Sequence, residues 1–340
     1  MNIKQVVITG QNQVELQSLE LDEKDLAPNE LLIKTEYSFI SAGTELANYT
    51  GADAAVFRPG SWCAYPWKAG YANIGMVLDA GEKHREFIGR RVYTNGVHAS
   101  THRYATDIQY KLVAPVPDGI SLEEAVAARM AMVAICGLDA STPRYIRWVV
   151  VIGLGMVGNL AAQLYRLTGA QVIGVDPSEA RRKMALACGI PHAIGGTEEE
   201  VAAQVRQITG GKMANVSVDA VGHSAIALQA LRLTADSGEV IVLGTPRSEV
   251  QGNLTEVFSA AHIRWVAIKG CLEWNVPTEA ALPGDYSQRK KLDAIFAWIA
   301  DGRLKLHPLI THVLPPTEIK TAYEGLLREK EKYVGVVLKW

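Results

Sequence analysis

The sequence predicts an α/β protein of two domains, a barrel-like β domain first and a doubly wound parallel sheet second. The N-terminal part is a series of short apolar runs bounded by Gly, Pro, Asn and Asp, with few helical stretches. From Trp148 the pattern changes to alternating strands and helices. The first strand there, Trp148-Val149-Val150-Val151-Ile152, is apolar throughout, as a strand buried on both faces of a parallel sheet must be.

In the first domain the strands are Val6-Val7-Ile8, Leu31 to Lys34, Ile74 to Leu78, Arg91-Val92-Tyr93 and Lys111-Leu112-Val113. An aromatic stretch, Ser61-Trp62-Cys63-Ala64-Tyr65-Pro66-Trp67, interrupts them. Ser121-Leu122-Glu123-Glu124 is a capping-box signature, and an Ala-rich helix follows to about Asp139. In the second domain the strands are 148–152, Gln171 to Asp176, Val216 to Asp219 and Glu239 to Leu243, with a last strand expected from Ile263 to Ile268. The tail holds two amphipathic helices, Leu292 to Ala300 and Ile319 to Leu327. It closes on a strand, Val334 to Leu338, that has no partner in the parallel sheet and is expected to return to the first domain. The expected domains are therefore 1–142 completed by 286–340, and 143–285.

With 340 residues, 48% hydrophobic, the chain is long enough for more than one domain. A net charge of −2 sets up no strong field toward nucleic acid or an anionic membrane, and neither is an expected partner. No apolar run spans a bilayer, and Met1-Asn2-Ile3-Lys4 opens no secretory signal core, so a cytoplasmic location is the expectation. Cys63, Cys136, Cys188 and Cys271 are scattered, without a C-x-x-C pair, which argues against disulfides and against an all-cysteine zinc site.

The strongest chemical signal is Gly153-Leu154-Gly155-Met156-Val157-Gly158, placed directly after a buried strand and directly before a helix. Gly153 permits the tight turn, Gly155 lets the backbone approach a pyrophosphate, and Gly158 lets helix and strand pack closely. The helix N-terminus offers free N–H groups to phosphates. Asp176 closes the second strand roughly twenty residues on, where an acid binds the adenosine ribose hydroxyls. A carboxylate there repels a 2′-phosphate, so NAD(H) is expected over NADP(H). Arg181, close by, weakens that preference. The turns after the later strands, Val221-Gly222 and Leu243-Gly244, are assigned to the same site.

The order of domains and the returning tail resemble the medium-chain dehydrogenase/reductase superfamily over nearly the full chain. Gly43-Thr44-Glu45 resembles its C-G-[ST]-[DE] motif, Gly70-Tyr71-Ala72-Asn73-Ile74-Gly75 its G-H-E-x-x-G motif, and Pro308 to His312 its return strand. The resemblance implies a GroES-like catalytic domain, a Rossmann domain, and a cleft between them for nicotinamide and a small-molecule substrate. Residues around Ile263 to Leu272 would lie near the nicotinamide, with Cys271 and Leu272 in the cofactor site, and at a dimer edge. A homodimer or homotetramer is expected.

The chain departs from the zinc-dependent members. Where they hold a catalytic metal it has Ala42, Tyr71 and, around Ala128-Arg129-Met130, no evident ligand. The glutamate beside the metal histidine is Ala72, and the stretch Tyr93 to His98 lacks the cysteines of a structural zinc lobe. A catalytic zinc needs three protein ligands, so a zinc-independent member is expected.

Without zinc, alcohol oxidation needs donors for the alkoxide-like oxygen and a base for the proton. Thr44 matches the family's proton-relay hydroxyl; its other reading is a residue capping a helix at Glu45 to Tyr49. Tyr71 either holds the substrate oxygen or fills the space zinc leaves. Glu45 matches the acid that orients the metal histidine, so here it orients Tyr71 or Lys68, or acts as the base. Lys68 is either a desolvated donor or a solvated lysine. His98 and His102 fall where the zinc lobe is missing, and each either lines the cleft or is a surface or core histidine. Trp62, Tyr65, Trp67 and Tyr71 form either a satellite core or the wall of a pocket for a ring-shaped substrate. The string Ser41 to Glu45 resembles a subgroup that includes bacteriochlorophyllide hydroxyethyl dehydrogenases and sugar- or antibiotic-pathway enzymes.

The first expectation is thus metal-free hydride transfer between NAD(H) and a secondary alcohol or ketone. The runner-up is a zinc-free, NAD(P)H-dependent reductase of activated double bonds, of quinone- or enoyl-reductase type. A third reading is a dinucleotide-binding protein without catalysis.

Overall fold

The apolar alternation of the N-terminal segment forms a hairpin, β1 (Asn2–Gly10) with β2 (Gln13–Glu20). After β3 (Glu30–Phe39) come the helix α1 (Ala42–Thr50) and the strands β4 (Trp67–Lys68), β5 (Asn73–Ala80), β6 (Arg91–Thr94), β7 (Thr101–Ala105) and β8 (Val113–Pro115). The computed structural model describes residues 1–108, 110–142, 147–282 and 286–340. The expected domain joints at 142/143 and 285/286 touch the segments 143–146 and 283–285, outside the described residues.

The helix α2 (Leu122–Ala140) leads to β9 (Trp148–Ile152), α3 (Met156–Leu167), β10 (Gln171–Val175), α4 (Glu179–Ala187), β11 (His192–Ile194), α5 (Glu198–Ile208) and β12 (Ala214–Asp219). Then follow α6 (Ser224–Leu233), β13 (Thr234–Val242), α7 (Leu254–Ile263) and β14 (Ala267–Gly270). The tail is α8 (Gln288–Ala300), β15 (Ile310–Leu314), α9 (Ile319–Arg328) and β16 (Gly335–Lys339). Contacts divide the chain into two units: Met1–Arg129 with Val276–Ala300 and Ile310–Trp340, and Met130–Asn275 with Asp301–Leu309.

In the first unit β1 pairs with β2 and β4, and a second sheet runs β15-β16-β3-β5-β6-β8. One edge of β3 pairs with β5, the other with β7 and then β16. The last strand does return to this unit, Val337 lying opposite Phe39. Leu31, Ile33, Val77, Val92 and Tyr104 fill one core. The helix α9 presents Ile319, Ala322, Tyr323 and Leu326, one face at helical spacing, to a core shared with β1, β16 and Tyr49 of α1.

In the second unit all sheet pairs are parallel and the strand order is β11-β10-β9-β12-β13-β14. Renumbered within the unit this is 3-2-1-4-5-6, with the chain reversing its direction of winding between β9 and β12. The run Val149 to Ile152 needs apolar residues at every position because its two faces serve two cores. Val150 and Ile152 pack into one, Val149 and Val151 into the other.

Several sequence expectations change in detail. The strand expected over Ile263 to Ile268 begins only at Ala267, because Ile263 ends α7 and Trp265 takes φ +53° in the turn between. Lys111 and Leu112 precede β8 rather than belonging to it. The helix expected at Glu45 starts at Ala42 with Ser41 as its N-cap, so Thr44 lies in its first turn and caps nothing. Strands β2 and β7 carry too many polar residues to stand out in the sequence. No helix among the described residues is long and apolar enough to cross a membrane.

Candidate active site and dinucleotide turn

Every cofactor residue named from the sequence lies at the carboxyl end of a parallel strand or on the first turn of the helix that follows. Gly153 to Gly158 follow β9, Asp176 follows β10, Val221 and Gly222 follow β12, Leu243 and Gly244 follow β13, and Cys271 and Leu272 follow β14. Arg181 is on α4. Gly153 takes φ +91°, a left-handed turn. A Cβ on Gly158 would lie 1.7 Å from the Gly153 carbonyl oxygen, so helix and turn touch through a glycine. A Cβ on Gly155 would meet nothing nearer than Arg181 Nη1 at 3.8 Å, and no side chain caps α3 there. An uncapped helix N-terminus with open space before it fits a pyrophosphate.

Asp176 does more than the sequence suggests. Its two oxygens accept the Leu154 and Ser178 N–H groups, each at 2.8 Å, which ties the glycine turn to the end of β10. Arg181 Nη1 stands 3.6 Å from the same carboxylate. Asp219, which sequence reasoning missed, accepts the Val221 and Gly222 N–H groups at 2.9 and 3.0 Å. Burial pushes its carboxyl above the usual range, against those backbone donors.

In the first unit the turn from β3 into α1 gathers a set of hydroxyls. Tyr71 Oη is hydrogen-bonded to Ser41 Oγ and lies 3.2 Å from Thr44 Oγ1. The Arg129 guanidinium sits over the Tyr71 ring, 4.7 Å from its centroid. Burial pushes the Tyr71 phenol above its ordinary range, while Arg129, Ser41 and Thr44 pull it down, so it keeps its proton at neutral pH.

Beneath this set lies a network that is buried except at Trp340, which is half-buried. Glu45 Oε1 accepts the Ser41 N–H at 2.7 Å. Its Oε2 accepts Tyr323 Oη at 2.6 Å and meets His98 Nε2 at 3.0 Å. His98 Nδ1 lies 2.8 Å from Ser38 Oγ, which accepts the Trp340 indole N–H, also at 2.8 Å. Trp340 can only donate, so the Ser38 hydroxyl proton is left for His98 Nδ1, and a singly protonated ring is satisfied with its proton on Nε2. Gly70 makes room for it: at φ +96° a Cβ there would lie 2.6 Å from the His98 backbone nitrogen and 2.7 Å from its ring Cγ.

Thr44, Glu45, Tyr71 and His98 therefore come together; Lys68, Trp62, Trp67 and His102 do not join them. Glu45 holds neither Tyr71 nor Lys68 by a hydrogen bond but Ser41, His98 and Tyr323. Lys68 is exposed on β4, beside Thr9, Gln17 and Glu20. His102 is a core histidine on β7: burial pushes it down to about 3, and neither ring nitrogen finds a partner among the described residues. The aromatic stretch divides. Tyr65 and Trp67 pack on Ala55, Val56 and Cys63, a satellite core, while Trp62 is 61% exposed and meets Trp67 edge-on at 5.7 Å. Sequence reasoning missed Ser38, Ser41, Tyr323 and Trp340 as members of the site. For Ser41 a signal existed: a serine preceding a helix start is an N-cap candidate.

Residues 156–281 match the model of the zinc-binding dehydrogenase family. Through Asn275 that segment lies in the parallel-sheet unit, and it contains none of Ala42, Tyr71 or Ala72. The chain is 25% identical over 276 residues to D-guloside 3-dehydrogenase of Escherichia coli (strain K12), covering 76% of this chain and 79% of that protein. It is 24% identical over 350 residues to 2-desacetyl-2-hydroxyethyl bacteriochlorophyllide A dehydrogenase of Cereibacter sphaeroides, covering 100% and 99%. A structure of an alcohol dehydrogenase from Escherichia coli CFT073 complexed with NADH superposes with a TM-score of 0.82 at 16% identity, covering 100% of this chain and 99% of that one. Fold and matches together define an alcohol-dehydrogenase-like protein. The chain belongs to the medium-chain dehydrogenase/reductase superfamily.

Proposed function

We propose that this protein interconverts a secondary alcohol and its ketone by hydride transfer with NAD(H), without a metal. The observation that carries the reading is Tyr71, a phenol resting on two hydroxyls at the place where zinc-dependent members carry a metal histidine. The side chains of Ala42 and Ala72 have no atom that binds a metal. When bound, the nicotinamide ring supplies or accepts the hydride. The protein's own part is to hold the dinucleotide at the glycine turn and the substrate oxygen at Tyr71 and Thr44.

Asp176 supports NAD(H), since a second anion at the adenosine ribose would face its carboxylate. The substrate class we infer is a sugar, cyclitol or other ring-bearing alcohol. Relatives named for guloside and bacteriochlorophyllide oxidation agree with this. The test is a panel of cyclic polyols and enones read at the nicotinamide absorbance, with metal content measured on the same sample. Alcohol oxidation with NAD⁺, undiminished by a chelator, is the expected result. A stoichiometric zinc ion required for turnover overturns the metal-free reading. Reduction of enones with NADPH moves the assignment to the double-bond reductases, to which Arg181 beside Asp176 gives some support.

We also infer a homodimer through β14. It is the edge strand of its sheet, and Ile263, Trp265, Ile268 and Leu272 are exposed on or beside it. Ile268→Lys is expected to convert the dimer to a monomer by light scattering; a wild-type chain that is already monomeric removes the inference.

A further inference from the structure

We propose that Asp219 is a positioning residue for the nicotinamide half of the dinucleotide, acting through the turn that carries Val221 and Gly222. The inference rests on the dinucleotide-binding part of the reading above and concerns the parallel-sheet unit alone.

The first ground is the place of the carboxylate. Strand β12 lies inside the parallel sheet, between β9 and β13, where apolar residues are expected. Val216 and Val218 meet that expectation and fill a core. Asp219 closes the same strand with no solvent exposure. Its Oδ2 is buried without a hydrogen-bond partner among the described residues. An idle buried polar atom costs on the order of 1–3 kcal/mol. Stability alone does not select such a residue, and costs of this kind gather at functional sites.

The second ground is what the residue holds. Oδ1 accepts the Val221 and Gly222 N–H groups at 2.9 and 3.0 Å. The Asp219 backbone carbonyl accepts the Leu243 and Gly244 N–H groups at 3.0 and 2.8 Å. One residue therefore fixes the turn after β12 and the turn after β13. These turns touch through glycines. A Cβ on Gly244 would lie 2.2 Å from the Gly222 nitrogen, and one on Gly222, at φ +80°, would lie 2.6 Å from the Thr245 carbonyl oxygen. On the other side, a Cβ on Gly153 would lie 2.6 Å from Val221 Cγ2. The turn after β12 is thus wedged between the glycine turn and the turn after β13, and a shift in it must be taken up by both.

The third ground is the part of the ligand that this turn faces. In a doubly wound sheet the dinucleotide lies across the strand ends, one nucleotide over each half. Asp176 after β10 marks the adenosine half. The turns after β12 and β13 belong to the other half, which takes the nicotinamide ribose and ring. Val221 is 55% exposed there, an uncovered apolar side chain of the kind that lines cofactor sites. Because Oδ1 draws the Val221 and Gly222 N–H groups inward, the turn offers the ligand the Val221 side chain instead of those two donors.

The experiment titrates NADH and ADP, which lacks the nicotinamide ribose and ring, into the full chain by calorimetry. Asp219→Ala is expected to weaken NADH about tenfold, the size of one hydrogen-bonded contact, while ADP changes by less than about twofold. Asp219→Asn, whose amide oxygen can accept the same two N–H groups, should return NADH to within about threefold of wild type. Equal weakening of NADH and ADP in Asp219→Ala overturns the proposal, as does an unchanged NADH affinity. Should Asp219→Ala not fold, Val221→Ala decides. Its side chain is exposed, so the fold survives its loss, and NADH must weaken with ADP unchanged; an unchanged NADH affinity there overturns the proposal. A wild type that binds neither ligand overturns the dinucleotide reading and the proposal with it, whereas failure in the variants alone leaves that reading in place.

Discussion

Replacing Gly158 with alanine is expected to destabilise the protein by about 3–5 kcal/mol, whereas the same change at Gly155 leaves the fold nearly unaffected and weakens NADH. The two glycines lie three residues apart in one turn, yet they face different things. A Cβ on Gly158 would lie 1.7 Å from the Gly153 carbonyl oxygen and 3.0 Å from Ala220 Cβ. Neither is the far end of a flexible side chain, so α3 itself must move off the sheet. Gly155 has φ −65° and ψ −172°, which alanine adopts freely, and its Cβ would stand in open space. That space lies at the uncapped start of α3, where a pyrophosphate must approach the backbone. Urea unfolding of both variants and fluorescence titration with NADH separate the effects. Gly155→Ala should lose at least about tenfold in NADH affinity with stability within about 1 kcal/mol of wild type. A Gly158→Ala protein as stable as wild type contradicts the close packing, and unchanged NADH affinity in Gly155→Ala contradicts the assignment of the turn.

The dinucleotide turn was legible because its requirements are local. A buried strand, three glycines and a helix start occupy adjacent positions, and the acid follows at the next strand end. The hydrogen bonds of Asp176 to Leu154 and Ser178 were not legible, since nothing in the spacing says which backbone groups a carboxylate will face. The hydroxyl site was legible only where a resemblance pointed to it, at Thr44, Glu45 and Tyr71. Apart from His98, its support was hidden because Ser38, Tyr323 and Trp340 are far apart in sequence and meet only in the folded unit. Glu45 illustrates the difficulty. Its motif position suggested an acid that orients a neighbour, which it does, but the neighbours are His98 and Tyr323 from distant parts of the chain. The aromatic stretch misled in the other direction. Trp62 to Tyr71 are close in sequence, but Tyr65 and Trp67 turn to the satellite core, whereas Tyr71 turns to α1 and α2.

Glu45→Ala carries the second large effect, a loss on the order of 3–5 kcal/mol, because one carboxylate satisfies three buried donors. Removing it leaves the Ser41 N–H, the Tyr323 hydroxyl and His98 Nε2 without their acceptor, in a place with no solvent exposure on either Glu45 or His98. An alanine cannot refill the volume, and water entering the gap would compete for the same donors. Glu45→Gln tests charge and shape separately. It keeps an acceptor oxygen for Ser41 or for the pair on the other side, but its amide must point N–H at another donor, so about half the loss is expected to remain. A double-mutant cycle with His98→Phe should give a coupling of about 0.5–3 kcal/mol, as for residues in one hydrogen-bond network. Additive losses would mean that the two side chains stabilise the fold independently. The same variant reaches the chemistry through Ser41. With its N–H released, the Ser41 hydroxyl becomes free to cap α1 as N-cap serines ordinarily do, and Tyr71 loses a hydrogen-bond partner. Turnover should therefore fall in Glu45→Gln by more than its stability loss explains at a temperature where both proteins are fully folded, with NADH binding unchanged.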